Sequence, residues 1–306
     1  MKYFLVLGFG RMGITHLAHI NGYFSGEAKF DIYDPSFVFR VASYFSVRKN
    51  FNFIRRLPLK GKYDAVFITS PPEAHSQNFN SCFDLSNTFF IEKPLVLTDK
   101  DIDNAVDAKK KIYCGYVLRH NPCVRKICEL FGDEVEEVKV RVASNLGLNP
   151  GEDWRFDLSK RGGCLNELGS HAINLALSFA SQPTVSSGGL FVDHVDSGKF
   201  SLTMGVRPRL RIEGDWNIDV RKTTYSVSVN SPRGEIHSDF QSVWGNIEGK
   251  PISWSPREAA LDVGFYLRGV DFALQNERFL TSESTSKDLL DAVYTDKIIQ
   301  EVMESA

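Results

Sequence analysis

No apolar run in the chain approaches the roughly 18 residues that a membrane-spanning helix needs, so no bilayer segment is expected. Lys2 followed by Phe4 to Leu7 imitates the start of a signal peptide. The run is too short, and Gly8, Gly10 and Arg11 interrupt it. Cysteine is scarce: five residues, at 82, 114, 123, 128 and 164, an odd number with no metal-type pairing. That usage predicts reduced thiols in a cytoplasmic protein and no metal site. An excess of one charge is also missing. Thirty-six basic and 38 acidic side chains leave a net charge of −2, which exerts no general pull toward nucleic acid or a membrane surface. There is no repeat at a fixed period and no low-complexity tract. What remains is an ordinary globular composition, 42% hydrophobic and 24% charged, over 306 residues. At roughly 150 residues per domain, that length accommodates about two domains.

The first 118 residues alternate strand and helix. Tyr3 to Leu7, Phe30 to Tyr33, Ala65 to Ile68, Phe89 to Ile91 and Ile112 to Cys114 read as strands, with a short edge strand near Asn52 to Ile54. Continuous apolar strands separated by helical segments indicate a parallel sheet covered on both faces. Ser70-Pro71-Pro72-Glu73 carries a capping residue, an early proline and a glutamate three residues after the cap, and Thr98 to Asp101 is a weaker version. Beyond about residue 120 the pattern changes. Val138 to Val142 and Tyr225 to Val229 alternate with period two, as half-exposed strands do. Helices are expected over Leu165 to Phe179, over Glu258 to Gln275 behind a capping box at Ser255 to Glu258, and over Lys287 to Val302. The fold class read here is α/β: a Rossmann domain with a parallel sheet over 1–118, then an α+β domain with an open, mostly antiparallel sheet over 119–306.

Three elements carry chemistry. Gly8-Phe9-Gly10-Arg11-Met12-Gly13 follows a strand and opens a helix, and Asp34 stands 21 residues after Gly13 at the end of the second strand. Gly8 permits a tight turn, Gly10 lets backbone approach a pyrophosphate, and Gly13 allows close helix–strand packing. Asp34 suits an adenosine ribose and favours NAD; Arg40 nearby leaves NADP open. Glu92-Lys93-Pro94 puts a lysine where a later parallel strand ends, the edge at which open α/β sheets bind ligands. Gly162-Gly163-Cys164-Leu165-Asn166-Glu167-Leu168-Gly169-Ser170-His171 is a glycine-led helix start, with Glu167 and His171 four apart on one face. A carboxylate and an imidazole so spaced can share a proton path. In a hydride exchange Lys93 would stabilise alkoxide charge and His171 would carry the proton. Tyr116, Arg119, Asn121, Trp154 and Arg155 are candidates for a substrate wall. His75 reads as a support near the cofactor cleft, and His16, His19, His194 and His237 as ordinary surface or core histidines.

Together these elements resemble the Gfo/Idh/MocA family of nicotinamide-dependent oxidoreductases. The resemblance rests on Gly8 to Gly13, Thr69-Ser70-Pro71-Pro72-Glu73-Ala74-His75, Glu92-Lys93-Pro94, Gly115-Tyr116-Val117-Leu118-Arg119 and Gly162 to His171. It implies hydride exchange between NAD and a sugar, cyclitol or nucleotide-linked sugar. Lys93 then matches the active-site lysine and His171 the acid/base histidine. Thr69, Ser70, Pro71, His75, Glu92 and Lys93 would flank the cofactor. Glu167 and Asn174 stand where the family commonly has aspartate, so Asn174 falls in a supporting, substrate-side role. Arg119, Arg125, Arg155, Lys160 and Arg161 favour a phosphorylated or nucleotide-linked sugar, because arginine forks pair with phosphate. A free sugar or cyclitol dehydrogenase is the alternative, and a catalytically silent nucleotide or sugar sensor is another. The resemblance also implies a homo-oligomer, a dimer or tetramer, built on the outward face of the second sheet.

Overall fold

The computed structural model describes residues 1–36, 50–148, 156, 163–180, 190–196, 198–205, 208–256, 269–282 and 286–305. Arg40, Trp154, Arg155, Lys160, Arg161, Gly162 and the end of the capping box at Arg257-Glu258 lie outside them. The chain divides into two compact units, Met1–Gly115 with Asp262–Leu289, and Tyr116–Leu261 with Leu290–Ala306. The first unit therefore takes in a late segment that a single cut at Leu118 assigns to the second.

In the first unit six strands form one sheet: β1 (Tyr3–Leu7), β2 (Lys29–Tyr33), β3 (Phe51–Phe53), β4 (Ala65–Ile68), β5 (Thr88–Ile91) and β6 (Lys111–Cys114). Their order is β3-β2-β1-β4-β5-β6 and every pair is parallel, the Rossmann arrangement with its reversal between β1 and β4. The central strands β1, β4 and β5 are almost wholly apolar because both faces are covered; Ala65 to Ile68 are all buried. Helices α1 (Arg11–Tyr23), α2 (His75–Cys82) and α3 (Asp99–Asp107) connect them. Thr98 caps α3 in a complete capping box with Asp101. Ser70 makes no such cap. A 3₁₀ turn, Pro72–Ala74, precedes α2, and the Ser70 hydroxyl accepts from Asn78 at 2.8 Å instead.

In the second unit eight strands form an open sheet in the order β14-β13-β12-β11-β7-β10-β9-β8. They are β7 (Glu137–Ala143), β8 (Leu190–Val195), β9 (Lys199–Met204), β10 (Arg209–Asp215), β11 (Thr224–Ser231), β12 (Gly234–Ser238), β13 (Val243–Ile247) and β14 (Lys250–Trp254). All neighbours are antiparallel except β7 and β10. Val138, Val140, Val142, Val227 and Val229 face inward onto one apolar core. The outward side carries ion pairs, among them Arg141 with Glu213 at 2.8 Å and Glu137 with Arg211 at 2.9 Å. Helices α4 (Pro122–Phe131) and α5 (Ser170–Ser178) belong to this unit, α5 preceded without a break by a π-helical turn, Leu165–Gly169. Helix α6 (Gly269–Thr281) lies in the first unit and runs past Gln275; α7 (Ser286–Ser305) follows. No described helix is long and apolar enough to cross a membrane.

Candidate active site

The register of the parallel sheet sets five strand ends in one row. Leu7 pairs with Tyr33 and with Ile68, Ile68 with Ile91, and Ile91 with Cys114. The residues that follow each strand therefore emerge side by side: Gly8, Asp34, Thr69, Glu92 with Lys93, and Gly115. This is the carboxyl edge of the sheet at its switch point, where open α/β sheets take ligands.

The glycine turn is closed behind and open in front. Gly8 has a φ of 91°, and a Cβ there would meet Ser70 N at 2.6 Å. A Cβ on Gly13 would lie 2.1 Å from the Gly8 carbonyl oxygen. A Cβ on Gly10 would meet nothing within 4 Å among the described residues. Thr69 donates its hydroxyl to the Gly8 oxygen at 2.6 Å and braces the turn against β4. Asp34 accepts from Phe9 N–H at 2.7 Å and from Ser36 N–H at 2.8 Å, so each carboxylate oxygen keeps lone-pair capacity for a further donor. No side chain caps the N-terminus of α1, and its first turn holds no carboxylate. The positive end of the helix dipole is thus left for an anion. A dinucleotide fits these residues: Gly8, Phe9, Gly10, Arg11, Met12 and Gly13 at its pyrophosphate, and Asp34 at its ribose.

Glu92 and His75 do structural work behind this edge. Glu92 is buried; its Oε1 lies 2.7 Å from His16 Nε2, and its Oε2 accepts the Lys93 backbone N–H at 3.2 Å. His75 is fully buried, with Nδ1 3.0 Å from the Pro94 carbonyl and Nε2 2.9 Å from the Ser70 carbonyl. Burial pushes the imidazole below its ordinary value. The ring, set between the two carbonyls, ties the loop after β4 to the segment after β5. His75 has no surface to offer a cofactor, whereas the Glu92 side chain keeps 10% of its surface. The Lys93–Pro94 peptide is cis, and Lys93 is half-buried.

In the second unit, His171 stands at the start of α5 with tyrosine rings on two sides. Tyr116 meets it edge-on at a centroid distance of 6.0 Å, and Tyr225 does so at 6.3 Å. Burial, and then the nearby Glu167 carboxylate, raise the Tyr225 phenol far above its ordinary value, so it stays a hydroxyl. Glu167, Tyr225 and His171 thus share one neighbourhood. A π turn carries Glu167 into α5, an irregularity frequent at functional sites. Asn174 is buried and donates to Thr295 Oγ1 at 3.2 Å, while its Oδ1 has no hydrogen-bond partner among the described residues.

Residues 2–119 match the oxidoreductase family with an NAD-binding Rossmann fold, Gfo/Idh/MocA. The matched stretch holds all six strands of the first sheet. Among curated proteins the chain is similar to Oxidoreductase P35 of Formosa agariphila, 23% identical over 191 residues, which is 58% of this chain. That match spans 60% of the relative's length. The whole chain shares its fold with levoglucosan dehydrogenase solved with NADH and levoglucosan, at TM-score 0.77 and 14% identity, covering 100% of this chain and 98% of that one. It is also similar to a putative myo-inositol dehydrogenase of Sinorhizobium meliloti, at TM-score 0.71 and 17% identity, over 100% and 98% of the two chains. A third likeness is the WlbA dehydrogenase of Thermus thermophilus in complex with NAD and UDP-GlcNAcA, at TM-score 0.68 and 18% identity, over 98% and 94%.

Several residues expected at the site make contacts of their own within the protein. Arg119 is committed to Asp291: the guanidinium and the carboxylate form an ion pair in which Asp291 is fully buried. Asn121 is a helix cap. Its Oδ1 accepts Cys123 N–H at 2.8 Å at the head of α4, and its Nδ2 donates to the Phe240 carbonyl. Tyr116 is buried against His171 rather than lining an open wall. His16, read as an ordinary histidine, sits on the Glu92 carboxylate. The clue in the sequence was its place on α1, three residues after Gly13, so that its helix face turns to the sheet. Gly115 is a further contributor: a Cβ there would stand 2.9 Å from Glu92 Cδ and Oε2. Since Glu92 is pinned by His16, it cannot yield. Gly115→Ala is expected to cost about 1–3 kcal/mol, the usual range for overpacking. Urea unfolding checks this, and an unshifted midpoint contradicts it.

Proposed function

We propose that the protein is an NAD-dependent dehydrogenase exchanging a hydride with a hydroxyl-bearing carbon of a sugar or cyclitol. The observation that carries this reading is the row of strand ends that sets a glycine turn open at Gly10 beside Asp34, Thr69 and Lys93. When bound, the nicotinamide supplies or accepts the hydride. The chain's own residues do the rest. Lys93, half-buried at the end of β5, holds positive charge for the oxygen that becomes alkoxide-like. His171 takes the hydroxyl proton in oxidation and returns it in reduction. Glu167 favours the charged imidazole, and the Tyr225 phenol, kept protonated, remains a donor beside it. Retention of both Lys93 and His171 sets this reading above a catalytically silent sensor.

An uncharged substrate is favoured over a phosphorylated or nucleotide-linked one. Of the five basic residues that suggested an anion, Arg119 is neutralised by Asp291 and Arg125 is exposed on α4. Arg155, Lys160 and Arg161 lie outside the described residues. The test is kcat/KM for levoglucosan and myo-inositol against UDP-linked sugars, at low and high salt. Turnover of a neutral sugar, nearly indifferent to salt, is expected. Preference for the nucleotide-linked sugar, weakening as salt screens the site, would replace the uncharged substrate with an anionic one.

A further inference from the structure

We propose that His16 and Asn276 are positioning residues for Lys93, acting through Glu92 by a proton that His16 and Glu92 share. The inference rests on the role of Lys93 given above, and it begins from Asn276. The Asn276 Nδ2 donates to the Phe272 carbonyl at 2.7 Å, one turn back along α6. A flipped amide would set two oxygens against each other there, so the orientation is fixed. Asn276 Oδ1 therefore faces His16 Nδ1, at 3.0 Å. An amide oxygen only accepts, so His16 Nδ1 must carry a hydrogen.

That settles what lies on the other side of the ring. His16 Nε2 and Glu92 Oε1 are 2.7 Å apart, with the imidazole wholly buried. A contact of that length needs a proton between the two atoms. With Nδ1 already protonated, either the ring is an imidazolium facing a carboxylate, or Glu92 is a carboxylic acid donating to Nε2. Both arrangements hold one shared proton and make the buried pair neutral overall. A buried pair so composed avoids the cost of an isolated charge. Rings surround the imidazole, Phe90 at a centroid distance of 4.4 Å and Phe67 and Phe272 each at 6.0 Å. They exclude water from the shared proton and add cation–π attraction when the ring is charged.

The chain of contacts ends at the catalytic segment. Glu92 Oε2, the oxygen not facing His16, accepts the Lys93 backbone N–H. Gly115 leaves room for the carboxylate. Thus α6 orients His16, His16 fixes Glu92, and Glu92 fixes the backbone from which the Lys93 side chain departs. Since His16 is fully buried, it touches neither substrate nor cofactor. Its loss should act on the chemical step and spare nucleotide binding.

Two measurements test this. The first is the ¹⁵N spectrum of histidine-labelled wild-type protein across the neutral range, with the His16 signal assigned by its loss in His16→Gln. A hydrogen on Nδ1 throughout is expected, and a bare Nδ1 overturns the proposal. The second is a double-mutant cycle with Lys93→Ala, following reduced nicotinamide with levoglucosan and myo-inositol as probes. His16→Phe should lower kcat about 10- to 100-fold, as small displacements of a catalytic group do, with NADH affinity and binding stoichiometry unchanged. His16→Gln keeps an amide donor at the reach of Nε2 and should recover most of the loss. In the Lys93→Ala background His16→Phe should add little, because the two act as one. Wild-type kcat in His16→Phe, or its full effect persisting without Lys93, overturns the proposal. Wild-type turnover in Lys93→Ala instead strikes the underlying functional reading and, with it, the positioning role of His16 and Asn276.

Discussion

Gly10→Ala is expected to fold like the wild type and to bind NADH about 10- to 100-fold more weakly, the equivalent of roughly 1–3 kcal/mol of crowding at a ligand contact. Among the described residues the added methyl group meets no atom within 4 Å, so they give the fold no reason to resist it. It stands instead in the space over the turn at the N-terminus of α1, where a pyrophosphate needs close backbone approach. Gly13→Ala makes the opposite control. Its methyl group would fall 2.1 Å from the Gly8 carbonyl oxygen, a backbone atom that Thr69 also holds. That variant should lose stability first and binding as a consequence. Thermal unfolding and NADH calorimetry on both proteins separate the two effects. Wild-type NADH affinity in Gly10→Ala would mean that the nucleotide lies elsewhere.

Lys93→Ala and His171→Ala are each expected to lower turnover by about 10² to 10⁴, the range that a positioned acid–base or charge-stabilising group contributes. NADH affinity should change little, because the proposed nucleotide site is built from Gly8 to Gly13, Asp34 and Thr69. The two losses should not multiply if both groups act on one oxygen, since residues that work as a unit are grossly non-additive. Steady-state rates of the single and double variants, with NADH titrations beside them, check this. Full turnover in either single variant would remove that residue from the mechanism.

Much of the first unit is legible in the sequence because its signals are local. A parallel sheet covered on both faces must be apolar along each strand, and Phe4 to Leu7, Ala65 to Ile68 and Phe89 to Ile91 are buried without a break. The glycine turn is legible for the same reason: each glycine answers a steric demand within a few residues or from the adjacent strand. Alternation likewise marks β7 and β11, where only one face meets the core. What the sequence hides is pairing over distance. His16 and Asn276 are 260 residues apart, and Arg119 and Asp291 are 172 apart. No periodicity reports such partners, so Arg119 read as a candidate for the substrate wall and His16 as an ordinary surface or core histidine. The two capping sequences teach a related point. Ser70-Pro71-Pro72-Glu73 is the fuller match, yet Asn78 engages the Ser70 hydroxyl and His75 meets its carbonyl. Thr98 has no such competitors and completes its box with Asp101.

The most direct test of the account is turnover itself. The purified protein should be mixed with NAD and a panel that includes levoglucosan, myo-inositol and UDP-linked sugars, and the absorbance of reduced nicotinamide followed. The account predicts reduced nicotinamide formed with at least one neutral sugar or cyclitol, and none above background once Lys93 is replaced by alanine. Tight NADH binding with no turnover of any sugar in either direction would contradict it, and would make the protein a nucleotide-binding relative without the chemistry.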